Sequence, residues 1–281
     1  MYPFKEPAVL TSVVVAAAWY AWGSRRPRLY PVPRRRRGCL LLARATCFYL
    51  GLLIVGVALD SPLDDLAEKL FWAHMLQHIV LLTAAAPLIA LGAPWLPFWR
   101  PFSLRFRRRV AHAFARGTLS PVRRVAAFLG RPTSAWLLFN VDIGVWHVPS
   151  LYDATLRNAG IHYLEHASFV VFGVLFWVHV VDSPPLHTRL NRLWQLAYVT
   201  AAATAGWLLG VVLALAPHPL YGAYAALRHR PGGISALADQ QLAAGMMIGP
   251  GSIAFAIAVF YGIYAWLGVD ERPRHPRLAV R

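Results

Sequence analysis

The run LFWAHMLQHIVLLTAAAPLIAL, residues 70–91, contains no Asp, Glu, Lys or Arg and places His74 and His78 in its first turns. A helix of roughly 17 to 25 apolar residues crosses ~30 Å of hydrocarbon, so this run reads as a membrane span. A second run, HYLEHASFVVFGVLFWVHVV at 162–181, repeats the arrangement with His162 and His166. Residues four apart share one face of a helix, so each pair can aim both imidazoles into a common space. Further apolar stretches at 8–23, 38–59, 133–146, 193–215 and 236–267 bring the predicted total to seven helices. The chain has 281 residues, 58% hydrophobic and 14% charged. That is too apolar for a soluble domain and too poor in polar residues for disorder. The expectation is an all-α polytopic membrane protein with seven transmembrane helices, forming a single domain over residues 1–281.

The net charge of +16 is unevenly placed. Arginines crowd the loop after the first span (Arg25, Arg26, Arg28 and 34–37), the loop after the third (nine between Arg100 and Arg131), Arg189 and Arg192 after the fifth, and the tail from Arg272 to Arg281. The other side carries Lys5, Lys69, Arg157, Arg228 and Arg230, and most acids there are Asp60, Asp64, Asp65 and Glu68. By the positive-inside rule the N-terminus is outside and the C-terminus in the cytoplasm. Lys5 is followed by Glu6 and lacks the basic n-region of a signal peptide, so the first helix is expected to be retained. Arginines spread over four juxtamembrane loops answer to anionic lipid headgroups, not to nucleic acid. The basic cytoplasmic loop at 92–132 is expected to include an interfacial amphipathic helix, with Trp95, Phe98, Trp99, Phe102 and Phe106 in the interface.

This topology gathers six of the 11 histidines at the outer boundary: His74, His78, His147, His162, His166 and His218. Apart from Met1, the methionines are Met75, Met246 and Met247, all in the same outer segments. Imidazole with thioether suits copper, Cu(I) especially, whereas a zinc hydrolase more often adds carboxylate and an open water position. The predicted metal set is His74, His78, His147, His162, His166, Asp239 and Met246, with copper preferred over zinc. Asp239 opens the seventh helix, where it reads equally as a cap or as part of the site. Glu165 lies about 100° round the helix from its neighbour His166 and is not expected to be a ligand. Asp142, inside the fourth helix, is a functional candidate because ionisable groups in membranes are costly; the favoured alternative is a pair with Arg44. Cys39 and Cys47, eight residues apart on one helix, are too far apart to bridge. Nucleotide-binding, G-x-S-x-G, H-E-x-x-H and C-x-x-C motifs are absent from the sequence.

Five segments together resemble the CtaG family of bacterial membrane proteins, the assembly factors of caa-type cytochrome c oxidase. They are FWAHMLQHIVLL with APLIALGAP (71–94), VWHVPSLYDATL (145–156), HYLEHASFVVFGVLFW (162–177), APHPLYGAYA (216–225) and ADQQLAAGMM (238–247). The resemblance implies a seven-helix plasma-membrane protein needed for active heme-copper oxidase, with oxidase subunits as partners and copper handling at the outer face. The matching polar residues are His74, His78, His147, Tyr152, Asp153, His162, His166, Asp239, Gln240 and Met246. A tryptophan that the family places soon after the last methionine is missing, since Met247 is followed by Ile248, Gly249 and Pro250.

The leading expectation is a non-enzymatic assembly factor holding copper in a partly exposed, incomplete ligand set from which it can be released. An intramembrane zinc hydrolase, with Asp142 or Asp239 activating water, is the first alternative. A heme-handling protein with paired axial histidines is the second.

Overall fold

The computed structural model describes residues 7–26, 34–188 and 190–270. Lys5, Arg28, Arg189 and the basic tail 272–281, used above for orientation, lie outside them. The described chain is all helix, without a strand beyond an isolated bridge between Ser183 and Leu186. We number the helices α1 (Pro7–Arg25), α2 (Arg34–Leu59), α3 (Pro62–Ala67), α4 (Phe71–Leu91), α5 (Trp95–Trp99), α6 (Leu104–Arg116), α7 (Ser120–Leu129) and α8 (Pro132–Trp146). The second half contains α9 (Pro149–Arg157), α10 (Ala159–Trp177), α11 (Arg192–Leu215), α12 (Gly222–Ala225), α13 (Ala236–Ile248) and α14 (Ile253–Asp270). Among the described residues, six helical segments are long and apolar enough to cross a membrane: α1, the 38–59 part of α2, α4, α10, α11 and the joined α13–α14. The chain is a polytopic all-α membrane protein.

Helix α8 is the exception by length. Its 15 residues rise about 22 Å at 1.5 Å per residue, short of the ~30 Å hydrocarbon layer. Predicted boundaries otherwise agree within a few residues, with two corrections. Helix α10 starts three residues earlier than expected because the Asn158 side chain accepts from the N–H groups of Gly160 and Ile161, and it ends at Trp177. The seventh predicted helix is interrupted. Helix α13 stops at Ile248, a short turn spans Pro250–Ser252, and α14 resumes at Ile253. Pro250 has no N–H to give to the preceding turn, so the break falls there.

Helices α4 and α10 run parallel, and three contacts set their register. The Trp177 indole donates to Leu82 O at 2.7 Å, His78 lies over Phe169 at 4.7 Å between ring centroids, and His74 meets His162 at 5.1 Å. Leu82 sits in a π-helical turn, Leu81–Ala85, where the regular i→i+4 ladder is interrupted. An indole at that carbonyl therefore supplies a donor to a group the helix leaves short. Below the histidines the bundle is filled by stacked aromatics, Phe139 on Phe176 at 4.4 Å and Phe176 on Tyr198 at 4.7 Å.

Helix α1 docks through Tyr20, which stacks on Phe48 at 4.1 Å and donates to Gly92 O. Gly23 allows this approach, because a Cβ there would lie 1.7 Å from Pro97 O. The basic loop folds into α6 and α7, which leave Leu104, Phe106, Val122, Val125 and Phe128 exposed. Cys39 and Cys47 are both free. The expected pairing of Asp142 with Arg44 is not found. Arg44 pairs with Asp182 at 3.1 Å, while Asp142 accepts from Trp146 Nε1 at 3.0 Å and Ser168 Oγ at 3.1 Å. Arg44 is held at Asp182, beyond the C-terminal end of α10, whereas Asp142 meets the middle of that helix at Ser168, so the charges never meet.

Replacing Trp177 by Phe removes the donor to Leu82 O and should lower stability by about 1 kcal/mol. Arg44→Ala, at a pair whose Asp182 is 72% exposed, should change it by less than about 1 kcal/mol. Thermal unfolding midpoints of the two variants in one detergent check the contrast.

Candidate metal centre

Both histidine pairs of the sequence converge. The ligating atoms of His74, His162, Glu165 and His166 lie within 4.8 Å of one another. His78 joins them one turn deeper on α4, its ring 4.4 Å from His74 and 5.3 Å from His166. His74, His78 and His166 are buried and His162 is half-buried. Three of the four central imidazoles are sealed by helix packing, and the fourth, His162, is partly exposed. A cavity of about 360 Å³, lined by Asp64, Glu68, His74, Arg157 and His162 among others, leads toward the half-buried one.

Glu165 is the larger correction. It is 0% exposed and stands between the α4 histidines, with Oε2 at 3.8 Å from His74 Nε2 and Oε1 at 3.7 Å from His78 Nε2. The 100° offset from His166 was the wrong comparison. Glu165 and His166 are three and four residues after His162, so they flank it on one face of α10. The order His162, Glu165, His166 is an H-x-x-E-H spacing, and that pattern was the signal available in the sequence.

The hydrogen bonds around the cluster set which ring nitrogens face inward. Tyr224 OH donates to Ala67 O, so its oxygen is left to accept from His74 Nδ1 at 3.1 Å. That places the His74 proton on Nδ1 and the lone pair on Nε2, toward Glu165. The same pattern holds for His147, whose Nδ1 donates to Ile143 O at 2.7 Å. Among the described residues, Nε2 of His74, His78, His147, His162 and His166, and both Glu165 oxygens, are buried without a hydrogen-bond partner. The neighbouring Thr155 hydroxyl gives its proton to Tyr152 O at 2.7 Å and has none for Glu165. A buried carboxylate and several lone pairs without donors are costly unless a cation offsets them.

Separations of 3.7 to 3.8 Å exceed hydrogen-bond range. Ligand atoms about 2 Å from a shared tetrahedral ion are about 3.3 Å apart. The present spread of up to 4.8 Å therefore closes on an ion by shifts of roughly 1 Å. Donor type, lone-pair direction and spacing fit a bound metal.

The remaining expected ligands have other placements. Asp239 is buried, but its carboxylate accepts from the N–H groups of Phe71 at 2.9 Å and Trp72 at 3.0 Å. It caps α4, not its own helix, whose cap is Ser235. No side chain within α4 caps that end, since Leu70 occupies the cap position, so a residue 167 positions away does the work. Met246 is half-buried and does not line the small cavity beside His78 and His147; Met247 and Met75 do. Asp153 accepts from Ala223 N at 3.1 Å and Gln240 bridges Leu220 N to Leu213 O, both holding the segment that presents Tyr224. Tyr152 is fully buried with its ring 5.2 Å from His74. Tyr224, which orients His74, lay unremarked inside the segment APHPLYGAYA.

Fold and site together define a multi-pass helical membrane protein with an imidazole and carboxylate cluster buried near one end of its bundle. The family model described as cytochrome c oxidase caa3 assembly factor (Caa3_CtaG) matches residues 18–268, and the chain belongs to that family. Uncharacterised proteins of Mycobacterium bovis and Mycobacterium tuberculosis are each 22% identical to it over 259 residues, covering 92% of this chain. The chain spans 38% of the length of those curated relatives. No solved structure matches it.

Asp239→Ala should free two N–H groups at the start of α4 and cost about 1–2 kcal/mol. Asp239→Asn, which keeps an acceptor, should recover a large part of that. Thermal unfolding in detergent, with hydrogen exchange at Phe71 and Trp72, reads the effect.

Proposed function

We propose that this member of the assembly-factor family takes up copper at the outer face of the bacterial plasma membrane and presents it to a cytochrome c oxidase subunit. In this reading seven helices cross the bilayer, α8 among them, with the N-terminus outside and the C-terminus in the cytoplasm. The arginine bias supports that orientation. Copper is the cargo, and the ligands are His74, His162, His166 and Glu165, with His78 beneath them.

One observation carries the reading: imidazole nitrogens without hydrogen-bond partners surround a buried carboxyl group without donors. Imidazoles bind Cu(I) and Zn(II) alike, and the methionines nearby tilt the choice toward copper. Burial of three of the histidines slows exchange with solvent, while half-buried His162 borders the outer cavity, where the ion would enter. The acids Asp64 and Glu68 on that cavity outnumber its one fixed cation, Arg157, and favour a cation there.

A second reading has a specific observation behind it. The H-x-x-E-H order on α10 is shared with a class of zinc peptidases, in which the glutamate acts on a metal-bound water. In that reading the carboxylate is Glu165, in place of the Asp142 or Asp239 considered from sequence. Glu165→Gln separates the two. A hydrolase would keep its zinc and lose turnover, whereas a copper carrier should show weakened copper retention and no turnover to lose.

Two results are expected. His74→Ala/His78→Ala and His162→Ala/His166→Ala should each lose copper after anaerobic Cu(I) loading and lower oxidase activity in cells, with the protein still inserted. Unchanged oxidase activity in both strains would contradict the copper reading. Tyr224→Phe, which releases the His74 tautomer, should weaken copper binding by about 10- to 100-fold in a chelator competition.

A further inference from the structure

The small cavity beneath the cluster is a different chemical environment. It has a volume of about 60 Å³ and is lined by Met75, His78, His147 and Met247, with Gly206 and Trp207 on the α11 side. A water's share of liquid volume is about 30 Å³, so an ion fits. His147 Nδ1 donates to Ile143 O at 2.7 Å, which leaves Nε2 as the lone pair. That Nε2 is buried without a partner among the described residues, as are both ring nitrogens of His78. Donating the second nitrogen to a backbone carbonyl is the usual arrangement of a metal-ligating histidine.

Two of the three methionines beyond Met1 line this one cavity. Thioethers are soft ligands that select Cu(I) over zinc and over harder ions. Glu165 is 3.7 Å from His78 Nε2 on the upper side and is not among the residues lining the cavity. His78 therefore borders a carboxylate-containing set above and a thioether-flanked one below.

The cavity wall also has a direction. Ile143, Gly206 and Met247 are each only half-buried, and Trp207 is 46% exposed, all on membrane-level helices and not on loops. In the seven-helix reading proposed above, the opening faces hydrocarbon. A Cβ built on Gly206 meets nothing within 4 Å, so a larger side chain there has open space to project into beside the wall.

From this we infer that His78 and His147, with Met75 and Met247, form a second Cu(I) station that opens sideways into the bilayer and hands the ion to a membrane-embedded partner. The step is ligand exchange. His78 leaves the upper set as it joins the lower one, the ion stays Cu(I), and no electron or proton has to cross the membrane. This inference rests on the copper-carrier reading above and adds a site and an exit to it.

The test is anaerobic Cu(I) titration of the detergent-purified full chain against a chromogenic Cu(I) chelator, combined with X-ray absorption at the copper edge. Wild type should hold two copper ions per chain and show a copper–sulfur component. Met75→Leu/Met247→Leu, a volume-conserving change, should hold one and lose the sulfur component. Gly206→Leu should bind both ions yet lower oxidase maturation in cells by blocking the exit. A wild type with one ion and no sulfur, or a double variant indistinguishable from wild type, overturns the second station and leaves the upper site standing. A wild type that binds no copper overturns both readings. A Gly206→Leu strain with full oxidase activity overturns the lateral exit.

Discussion

The histidine cluster is centred on Glu165, a carboxyl group sealed from water with no hydrogen-bond donor of its own among the described residues. Ionised, such a group is among the most expensive a protein can hold. In the copper-carrier reading proposed above its cost is offset, because imidazoles from two helices surround it and share a cation with it. Several features follow from keeping that arrangement in place. Helices α4 and α10 run parallel so that both histidine pairs reach the same level. The indole of Trp177 pins them through the π turn, and Asp239 holds the first turn of α4 where His74 projects.

The polar residues near the site divide by what they touch. His74, His78, His162, His166 and Glu165 present unpartnered atoms to one another. Tyr224 fixes a proton on His74 while donating its own to Ala67. Asp153 accepts from Ala223 N and Gln240 from Leu220 N, which holds the segment leading into Tyr224. Of the residues shared with the resemblance, the histidines face the cluster or the cavity beneath it, Tyr152 packs on His74, Asp153, Asp239 and Gln240 position backbone that does, and Met246 lies outside the lining of that cavity.

Much of the fold was legible in the sequence because hydropathy over about 20 residues is a strong signal and the i, i+4 rule places paired histidines without further information. What was not legible depends on how helices dock. Glu165 was set aside by comparing it with His166 alone, although His162 supplies the reference that puts it on the binding face. Asp142 was matched to Arg44 by charge, but helix register gave Arg44 to Asp182 and Asp142 to Trp146 and Ser168. Asp239 caps a helix 167 positions earlier in the chain, and no local pattern announces that. The break before α14 was readable, since Gly249, Pro250, Gly251 and Ser252 interrupt the apolar run that starts at Leu242.

The most direct measurement is anomalous diffraction or absorption-edge imaging of crystals of the anaerobically copper-loaded protein, recorded on both sides of the copper edge. The predicted result is a copper peak enclosed by His74, Glu165 and His166, with His162 moved inward to meet it. A map with copper bound only at surface histidines, and the five central side chains where they stand without it, would contradict the claim that this cluster exists to hold the ion.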